Sequence, residues 1–327
     1  MGGSPVEVTA LGFGGAVIGN LYTAIDDDTA TAAVDAAWRA GIRYFDTAPH
    51  YGLGLAERRL GAALAHHPRA EAVVSTKVGR RLVPADRPGP GPDGRDDAGF
   101  DVPADHRRVW DFSADGVRRA LEDSLRRLGT DRVDLLLLHD PDDHWRQAVE
   151  EAYPALHELR AQGVVGAIGV GMNQWPLLRR FATDTEIDAV MLAGRYTLLD
   201  QSALDGLLPT CERRGVSVLA AGVFNGGLLA SDALPAEPRY DYAPAPDDIV
   251  ARARRLAALA ARYGVRLPQL AMAFAAAHPT VASVVVGVRT AAEATTNAAL
   301  FTSPVPAELW AELRAGGLVR PDAPLPG

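Results

Sequence analysis

The chain has 327 residues, 48% of them hydrophobic and 23% charged, and its formal net charge is −8. This composition supports a large buried core, and an acidic chain without a concentrated basic block argues against nucleic acid or an anionic membrane surface as a partner. The single cysteine, Cys211, excludes internal disulfides and fits a reducing compartment. No apolar run reaches the roughly 18 residues of a membrane span, and the N-terminus lacks the features of a signal peptide, so we expect a cytoplasmic protein.

Strand-like and helix-like runs alternate along the whole chain. In chain order they are strand 11–15, helix 28–40, strand 42–46, helix 55–65, strand 72–77, helix 115–128, strand 133–139, helix 145–162, strand 164–170, helix 174–182, strand 189–193, helix 202–214, strand 216–221, helices 249–263 and 268–277, strand 283–287 and helix 291–300. We expect a kink at Pro154. Eight strand–helix units in strict alternation predict an α/β fold in which helices surround a closed parallel sheet, a (β/α)8 or TIM barrel.

Two stretches interrupt this alternation. Residues 80–111 follow the third strand and residues 226–246 follow the seventh, and both are long and rich in proline. Loops of this length in a compact domain are typically lids, binding loops or disordered segments, and barrel enzymes build their sites where the strands end. We predict active-site loops in both, with a tolerated surface insertion as the alternative. No composition shift marks a second domain, so we assign 1–327 to one domain that ends in a tail at 315–327.

Polar residues stand at the ends of four neighbouring strands. Asp46 ends the second strand, Lys77 the third and His139 the fourth, and Asn173 lies just past the fifth. Each has another explanation when taken alone: an Asx turn for Asp46, a side chain that reaches solvent for Lys77, and a structural role for His139. Together they favour a partly buried Asp46–Lys77 ion pair, for which Tyr51 and His139 supply the additional hydrogen-bonding groups that such a pair needs.

The chemistry that suits this set is proton transfer. A phenol has a pKa of about 10, and a neighbouring ammonium lowers that pKa. Lys77 would therefore activate Tyr51, Asp46 would keep Lys77 charged and oriented, and His139 would direct the substrate oxygen. Such a site can move a proton to or from a carbonyl or alcohol oxygen. It contains no hydride source, so a redox reaction here requires a cofactor.

Several motifs resemble the aldo-keto reductase family. They are GIRYFDTAPHYG at 41–52, the strand end at Lys77, LLLLHDPD at 135–142, GVGMN at 169–173 and GVRTAAEATTN at 287–297. The resemblance implies an (α/β)8 barrel that binds a nicotinamide cofactor in extended form, with a tetrad of Asp46, Tyr51, Lys77 and His139 in which Tyr51 is the general acid/base. Within the family, the chain resembles the aldose dehydrogenase group, which includes L-fucose (D-threo-aldose) 1-dehydrogenases and pyridoxal 4-dehydrogenases. This implies oxidation of a sugar's anomeric hydroxyl to the lactone, or of a similar hydroxyl or hydrated aldehyde.

The cofactor is expected near the last strands. The early glycines do not form a dinucleotide fingerprint, because Val17 occupies the third glycine position and no helix opens there. The resemblance implies NAD or NADP held by Gly14, Gly15, Asn173, Phe224, Gly226, Gly227, Leu228, Gly287, Arg289, Thr290, Glu293 and Asn297. Thr290 and Glu293 also have the spacing of a capping box, which is compatible with ligand contact because a helix N-terminus attracts phosphate.

Three positions depart from the common family pattern. Gly171 stands where a serine often meets the carboxamide, and Ala193 stands near the usual glutamine. Ala221 stands near the aromatic residue that often stacks on the nicotinamide, for which Phe224 is the candidate replacement. Since Arg289 is the one arginine available for a 2′-phosphate, we predict that NAD is accepted, with NADP as an additional or alternative cofactor.

The substrate is expected to be a small molecule: a sugar, an alcohol or an aldehyde. Tyr22, His50 and Trp110 are the candidate substrate contacts, with Trp145 as a further pocket wall, and each has core or surface packing as its alternative. The oligomeric state is left open. His66 and His67 are adjacent and diverge on a helix, and no zinc-ligand spacing occurs in the sequence, so we expect no metal.

Three other functions are weighed against oxidation of a sugar. The same site can run as an aldehyde or ketone reductase, because the cofactor ratio sets the direction. A barrel glycosidase needs two carboxylates at separate strand ends, and Asp140, Asp142 and Asp143 after the fourth strand have no evident partner on the late strands. A non-catalytic, cofactor-binding regulatory subunit is the third alternative, since fold does not imply function, but the complete tetrad argues against it.

Overall fold

The computed structural model describes residues 1–87 and 89–326. Pro88 of the predicted 80–111 loop and Gly327 of the predicted tail lie outside the described residues. The strands are β1 (Leu11–Gly14), β2 (Tyr44–Asp46), β3 (Val73–Val78), β4 (Arg80–Pro84), β5 (His106–Trp110), β6 (Leu135–His139), β7 (Ala167–Met172), β8 (Ala189–Ala193), β9 (Ser217–Ala221), β10 (Arg239–Tyr240), β11 (Ala243–Pro244) and β12 (Val281–Gly287). Eight of them form a closed parallel barrel in the order β1-β12-β9-β8-β7-β6-β3-β2. The predicted barrel is confirmed.

Helices follow the barrel strands. They are α1 (Asp27–Arg39), α2 (Leu55–Leu64), α3 (Ala114–Leu128), α4 (Trp145–Gln147), α5 (Tyr153–Ala161), α6 (Trp175–Asp184), α7 (Leu207–Arg214), α8 (Asp247–Arg262), α9 (Leu267–Ala276), α10 (Ala291–Thr302) and α11 (Ala307–Ala315). Within the described ranges, no helix is long and apolar enough to cross a membrane.

Two predicted helices are interrupted. Between α4 and α5 the chain forms a π-helical turn at Ala148–Ala152, which ends two residues before Pro154. Because Pro154 has no N–H to donate to the carbonyl of Glu150, the helix widens at this point. The predicted helix at 202–214 is a 3-10 turn, Ser202–Asp205, followed by α7, and Gly206 separates the two.

Alternation along the strands decides which side chains enter the barrel. In β6, Leu135 and Leu137 lie in the cluster inside the barrel, whereas Leu136 and Leu138 pack in the layer between strands and helices. The run is continuously apolar because both faces of the strand are buried. The same period of two places His139, at the end of the strand, on the inner face.

The segments after the third and seventh barrel strands each contain an antiparallel hairpin. In the first, β4 pairs with β5, and Arg80 lies opposite Trp110. In the second, β10 pairs with β11 across a turn formed by Asp241 and Tyr242. Both turn residues have positive φ, 51° and 65°, as in the type I′ turns that suit the twist of tight hairpins. Residues of both hairpins line a cavity at the C-terminal end of the barrel strands.

The end of the chain packs against the barrel. Helix α11 includes Ala315, the first residue of the predicted tail, and Leu318, Val319 and Ala323 beyond it are buried. The predicted domain boundaries, 1–327, stay a prediction.

Candidate active site

The structure brings Asp46, Tyr51 and Lys77 together at the C-terminal mouth of the barrel. The Lys77 Nζ lies 2.9 and 2.7 Å from the two carboxylate oxygens of Asp46, and it also donates to the Thr47 carbonyl at 3.0 Å. The Tyr51 hydroxyl lies 3.0 Å from the same Nζ. Lys77 is 2% exposed and Asp46 is 3% exposed, so neither an Asx turn nor a lysine that reaches solvent describes this site.

Two residues that the sequence reasoning missed support the Asp46 carboxylate. The Ser75 hydroxyl donates to Asp46 Oδ1 at 2.7 Å, and the Tyr44 hydroxyl lies 3.0 Å from the Ser75 oxygen. Register explains their position, because Asp46 pairs with Ser75 across β2 and β3, and Tyr44 precedes Asp46 by two residues on the same face. The period-two pattern of both strands was the signal that could have found them.

The pKa values of Tyr51 and Lys77 both shift, and the direction of the shift for Tyr51 differs from the prediction. Burial raises the pKa of Tyr51 to about 12, and the Lys77 ammonium only partly offsets that shift. The predicted lowering of the Tyr51 pKa is wrong, because transfer of the phenolate out of water costs more free energy than its attraction to the one neighbouring ammonium contributes. Burial alone would lower the pKa of Lys77, but Asp46 and Tyr51 outweigh it, and the pKa of Lys77 lies above its ordinary value.

Two neutral histidines face the tyrosine. Burial, aided by Arg80, holds the pKa of His139 well below its usual range, and burial lowers the pKa of His50 to about 2. Their rings lie 5.5 Å apart, centroid to centroid, and the ring of His139 lies 5.9 Å from that of Tyr51. Within residues 1–87 and 89–326, the buried Nδ1 atom of each histidine has no hydrogen-bond partner. His139 is therefore not the satisfied structural histidine of the alternative explanation.

A cavity of about 1030 Å³ opens directly above this set. Tyr51, Lys77 and His139 lie in its wall, as do the predicted substrate contacts Tyr22 and His50. Its remaining charged lining consists of Arg80, Asp97, Asp140, Asp142, Arg239 and Asp241. Both apolar and charged groups thus surround the reacting position, which suits a polar small molecule.

The two tryptophans of the prediction lie elsewhere. Trp110 is 45% exposed and stacks on Phe112 at 6.0 Å, while the Arg80 guanidinium covers its ring at 4.4 Å. It supports a cavity-lining residue and does not itself line the cavity. Trp145 packs on Phe181 at 4.7 Å, outside the barrel. The place of both rings depends on tertiary packing that their sequence neighbours do not reveal.

Of the residues predicted to hold the nicotinamide end of the cofactor, Asn173 lies at the cavity and Phe224 is not in its lining. Asn173, Gly171 and Ala193 line it together. A Cβ added at Gly171 would lie 3.6 Å from both Lys77 Cε and Met191 Cβ, so glycine leaves space beside the lysine. Phe224 is partly buried against the main core.

Residues predicted to hold the pyrophosphate and adenosine lie at the ends of β1, β9 and β12. Gly14 pairs with Gly287 across β1 and β12, and the Gly15 N–H donates to the Asp46 carbonyl at 2.8 Å. Gly226 and Gly227 follow β9 with φ of 66° and 95°. Leu228 is fully buried in the core, and its N–H donates to the Asn225 carbonyl at 3.3 Å, so the structure does not expose it to a ligand.

The N-terminus of α10 contains the other predicted contacts. The Thr290 hydroxyl accepts from the Glu293 N–H at 3.2 Å, as a cap does. Glu293 Oε2 accepts from the Arg289 N–H at 2.7 Å, and Arg289 lies one residue before the helix cap. The predicted capping box is therefore shifted by one position. Asn297 lies one turn further along the helix, partly exposed. Among the described residues, the buried Nε of Arg289 has no partner.

These positions fit a dinucleotide. An orphaned guanidinium nitrogen beside a capped helix N-terminus is a donor set for phosphate. Glycines at the strand ends allow close approach of a ligand to the backbone. Within the described chain, no cluster of three or more His, Cys, Asp or Glu side chains is arranged to hold a metal ion.

Comparison with known proteins agrees with this geometry. The Aldo/keto reductase family profile matches residues 10–316. The chain belongs to the aldo/keto reductase family. It is therefore an NAD(P)-dependent oxidoreductase, and the glycosidase and non-catalytic alternatives no longer apply.

Two curated relatives and one solved structure span nearly the whole chain. D-threo-aldose 1-dehydrogenase of a Pseudomonas species is 48% identical over 316 residues, covering 96% of this chain and 95% of the relative. Pyridoxal 4-dehydrogenase of Microbacterium luteolum is 40% identical over 334 residues, covering 98% and 97%. The holo form of an aldo-keto reductase from Bacillus halodurans superposes with a TM-score of 0.75 at 27% identity, covering 98% of this chain and 95% of that one. The predicted family resemblance is confirmed.

The loop that holds Tyr51 interlocks with the segment after β1. Gly52 has a φ of 61°, and a Cβ added there would lie 2.2 Å from the Gly19 carbonyl oxygen. Gly52→Ala is therefore expected to lower the free energy of unfolding by clearly more than about 1 kcal/mol, because it adds a clash to the left-handed strain. Gly41→Ala is the matched control, with a φ of 87° and, in the described part of the chain, no heavy atom within 4 Å of an added Cβ. Urea denaturation of both variants measures this, and equal losses would contradict the clash.

Proposed function

We propose that this aldo/keto reductase oxidises the anomeric hydroxyl of a free aldose to the lactone. One observation carries the proposal: the Asp46–Lys77–Tyr51 set opens onto a cavity whose wall also holds several charged side chains and a neutral His139, whose Nδ1 has no hydrogen-bond partner among the described residues. A carbonyl or alcohol oxygen fits beside Tyr51, and hydroxyl groups fit the charged wall. The 48% identity to a D-threo-aldose 1-dehydrogenase supports this substrate class.

In this mechanism, Tyr51 takes the proton of the anomeric hydroxyl. Lys77 lies 3.0 Å from the tyrosine oxygen and stabilises its anionic form, while Asp46 holds the ammonium in place. A neutral His139 donates a hydrogen bond to the substrate oxygen and fixes its direction. When bound, the nicotinamide cofactor supplies the acceptor for the hydride of the same carbon. Asn173, Gly226, Gly227, Gly287, Arg289 and Thr290 would hold it.

A panel of substrates tests the proposal. Fucose, arabinose, galactose and their enantiomers are assayed with NAD and with NADP, alongside pyridoxal. We expect cofactor reduction with at least one free aldose, and we expect NAD to be accepted because Arg289 is the one guanidinium proposed for a 2′-phosphate. Absence of activity on every aldose would contradict the aldose assignment. Activity on pyridoxal alone would favour the function named for the second relative. An overwhelming preference for NADP would overturn the cofactor prediction.

The pH dependence of the two directions should differ. Burial raises the pKa of Tyr51 to about 12, so the neutral phenol dominates across pH 7–10. Oxidation needs the phenolate, and we expect its kcat to rise with pH by up to about tenfold per unit where this ionisation limits the rate. Reduction needs the phenol, so its kcat should stay constant over the same pH range. A flat oxidation profile from pH 7 to 10, measured at saturating substrate, would contradict the assignment of Tyr51.

We further infer that the enzyme acts in the cytoplasm on small molecules. The inference rests on Cys211, which is fully buried and free and suits a reducing compartment. The net charge of −8 makes nucleic acid an unfavourable partner. Cell fractionation with an antibody to the chain tests the location, and recovery in an oxidising compartment would contradict it.

A further inference from the structure

An ion pair outside the tetrad lies in the cavity wall. The Arg80 guanidinium donates to Asp140 Oδ2, and both residues line the cavity with side chains that are 16% and 23% exposed. Asp140 directly follows His139, and its Oδ2 lies 3.7 Å from His139 Nε2. That distance is too long for a hydrogen bond, so the imidazole and the carboxylate are separate groups beside the same space.

Both members of the pair are held in position by neighbouring residues. The Arg80 guanidinium rests on the Trp110 ring at 4.4 Å, across the first register pair of the β4–β5 hairpin. Asp140 has a φ of 44°, and its backbone N–H donates to the Gly171 carbonyl at 3.0 Å. A left-handed conformation in a residue other than glycine is strained, and such strain is concentrated at functional sites.

The pair has hydrogen-bonding capacity left over. Asp140 accepts from Arg80 through Oδ2, and no donor from the described residues bonds its Oδ1. The Nε of Arg80 likewise has no partner within the described ranges. Burial raises the pKa of Asp140 and lowers that of Arg80, and each charge only partly offsets the effect on the other. Neither charge is fully compensated by the protein.

We propose that the Arg80–Asp140 pair binds the vicinal hydroxyl groups on the two carbons that follow the reacting carbon in the substrate chain and so selects polyhydroxylated substrates over simple alcohols. A hydroxyl both donates and accepts, whereas a guanidinium only donates and a carboxylate only accepts, so two vicinal hydroxyls match the pair. The 3.7 Å between Asp140 and His139 places these hydroxyls one or two carbons from the oxygen that His139 holds. In an aldose oxidised at C1, they are the C2 and C3 hydroxyls. The inference rests on the proposed function.

The test compares an aldose with its 2-deoxy and 3-deoxy analogues. For the wild type, kcat/KM should fall about 10- to 100-fold on removal of a hydroxyl that binds a charged group. In Asp140→Asn and in Arg80→Met, kcat/KM for the parent aldose should fall by a similar factor, whereas the value for the affected deoxy analogue changes little. The gap in kcat/KM between the parent aldose and its deoxy analogue therefore closes. Asp143→Asn, an exposed carboxylate three residues further on, should keep the wild-type gap.

Each outcome decides between the explanations. An equal fall for parent and deoxy substrates would show that the pair only supports the fold or His139, and would overturn the proposal. A wild type that handles all three substrates equally would overturn it as well. A wild type inactive on every aldose would instead defeat the proposed function. Should Asp140→Asn fail to fold, Arg80→Lys, which keeps the charge but loses the planar fork, gives the same comparison. Cofactor dissociation constants, measured by fluorescence, should be unchanged in each folded variant.

Discussion

Tyr51→Phe is expected to lower kcat for the best substrate of the panel by about 10²- to 10⁴-fold, the usual contribution of a positioned acid or base. The change removes one oxygen and keeps the ring, which packs 6.1 Å from Phe100. Lys77 loses one contact at 3.0 Å and keeps Asp46 and the Thr47 carbonyl. The loss should therefore appear in the chemical step, with folding and cofactor affinity close to wild type.

The measurement is steady-state oxidation together with cofactor titration by fluorescence. Tyr263→Phe is the matched control, because its hydroxyl bonds Glu312 on the outside of the barrel, and the variant should keep wild-type kcat. Undiminished oxidation by Tyr51→Phe would show that another group moves the proton.

Lys77→Met should lower both activity and stability. The methionine fills a similar volume, but the Asp46 carboxylate, whose side chain is 4% exposed, is left buried without its ammonium. Breaking a buried pair by removing one partner costs about 3–5 kcal/mol of the free energy of unfolding. Activity should be lost as well, because nothing then stabilises the anionic form of Tyr51.

A second variant separates charge from volume. The double variant Lys77→Met/Asp46→Asn leaves neither charge unpaired. We expect it to regain most of the free energy of unfolding that Lys77→Met alone loses, while activity stays absent. Arg126→Met serves as the control, since its pair with Asp123 is exposed and such pairs contribute at most about 1 kcal/mol. Urea denaturation measures all three, and a double variant no more stable than Lys77→Met would contradict the electrostatic explanation.

Two parts of the site illustrate how tertiary contacts modify a reading of the sequence. The structure brings the predicted Asp46, Tyr51 and Lys77 together, but the pKa of Tyr51 moves in the opposite direction from the expected one, because burial of the phenol outweighs the Lys77 charge. Trp110 was expected in the pocket, but it supports Arg80 from behind. Burial and the contacts behind the cavity wall depend on how the loops pack over the barrel. The local sequence does not encode this packing directly.

The sequence by itself determined the barrel and the convergence of its polar strand ends. Strict alternation of strands and helices specifies parallel pairing, and the period of two places Asp46, Lys77 and His139 on the inner face at one end. Only the tertiary structure decided the partners that come from separate segments. Ser75 reaches Asp46 through strand register, and Arg80 reaches Asp140 because a hairpin returns over the barrel mouth. Such contacts join residues 29 and 60 positions apart, where no local periodicity relates them.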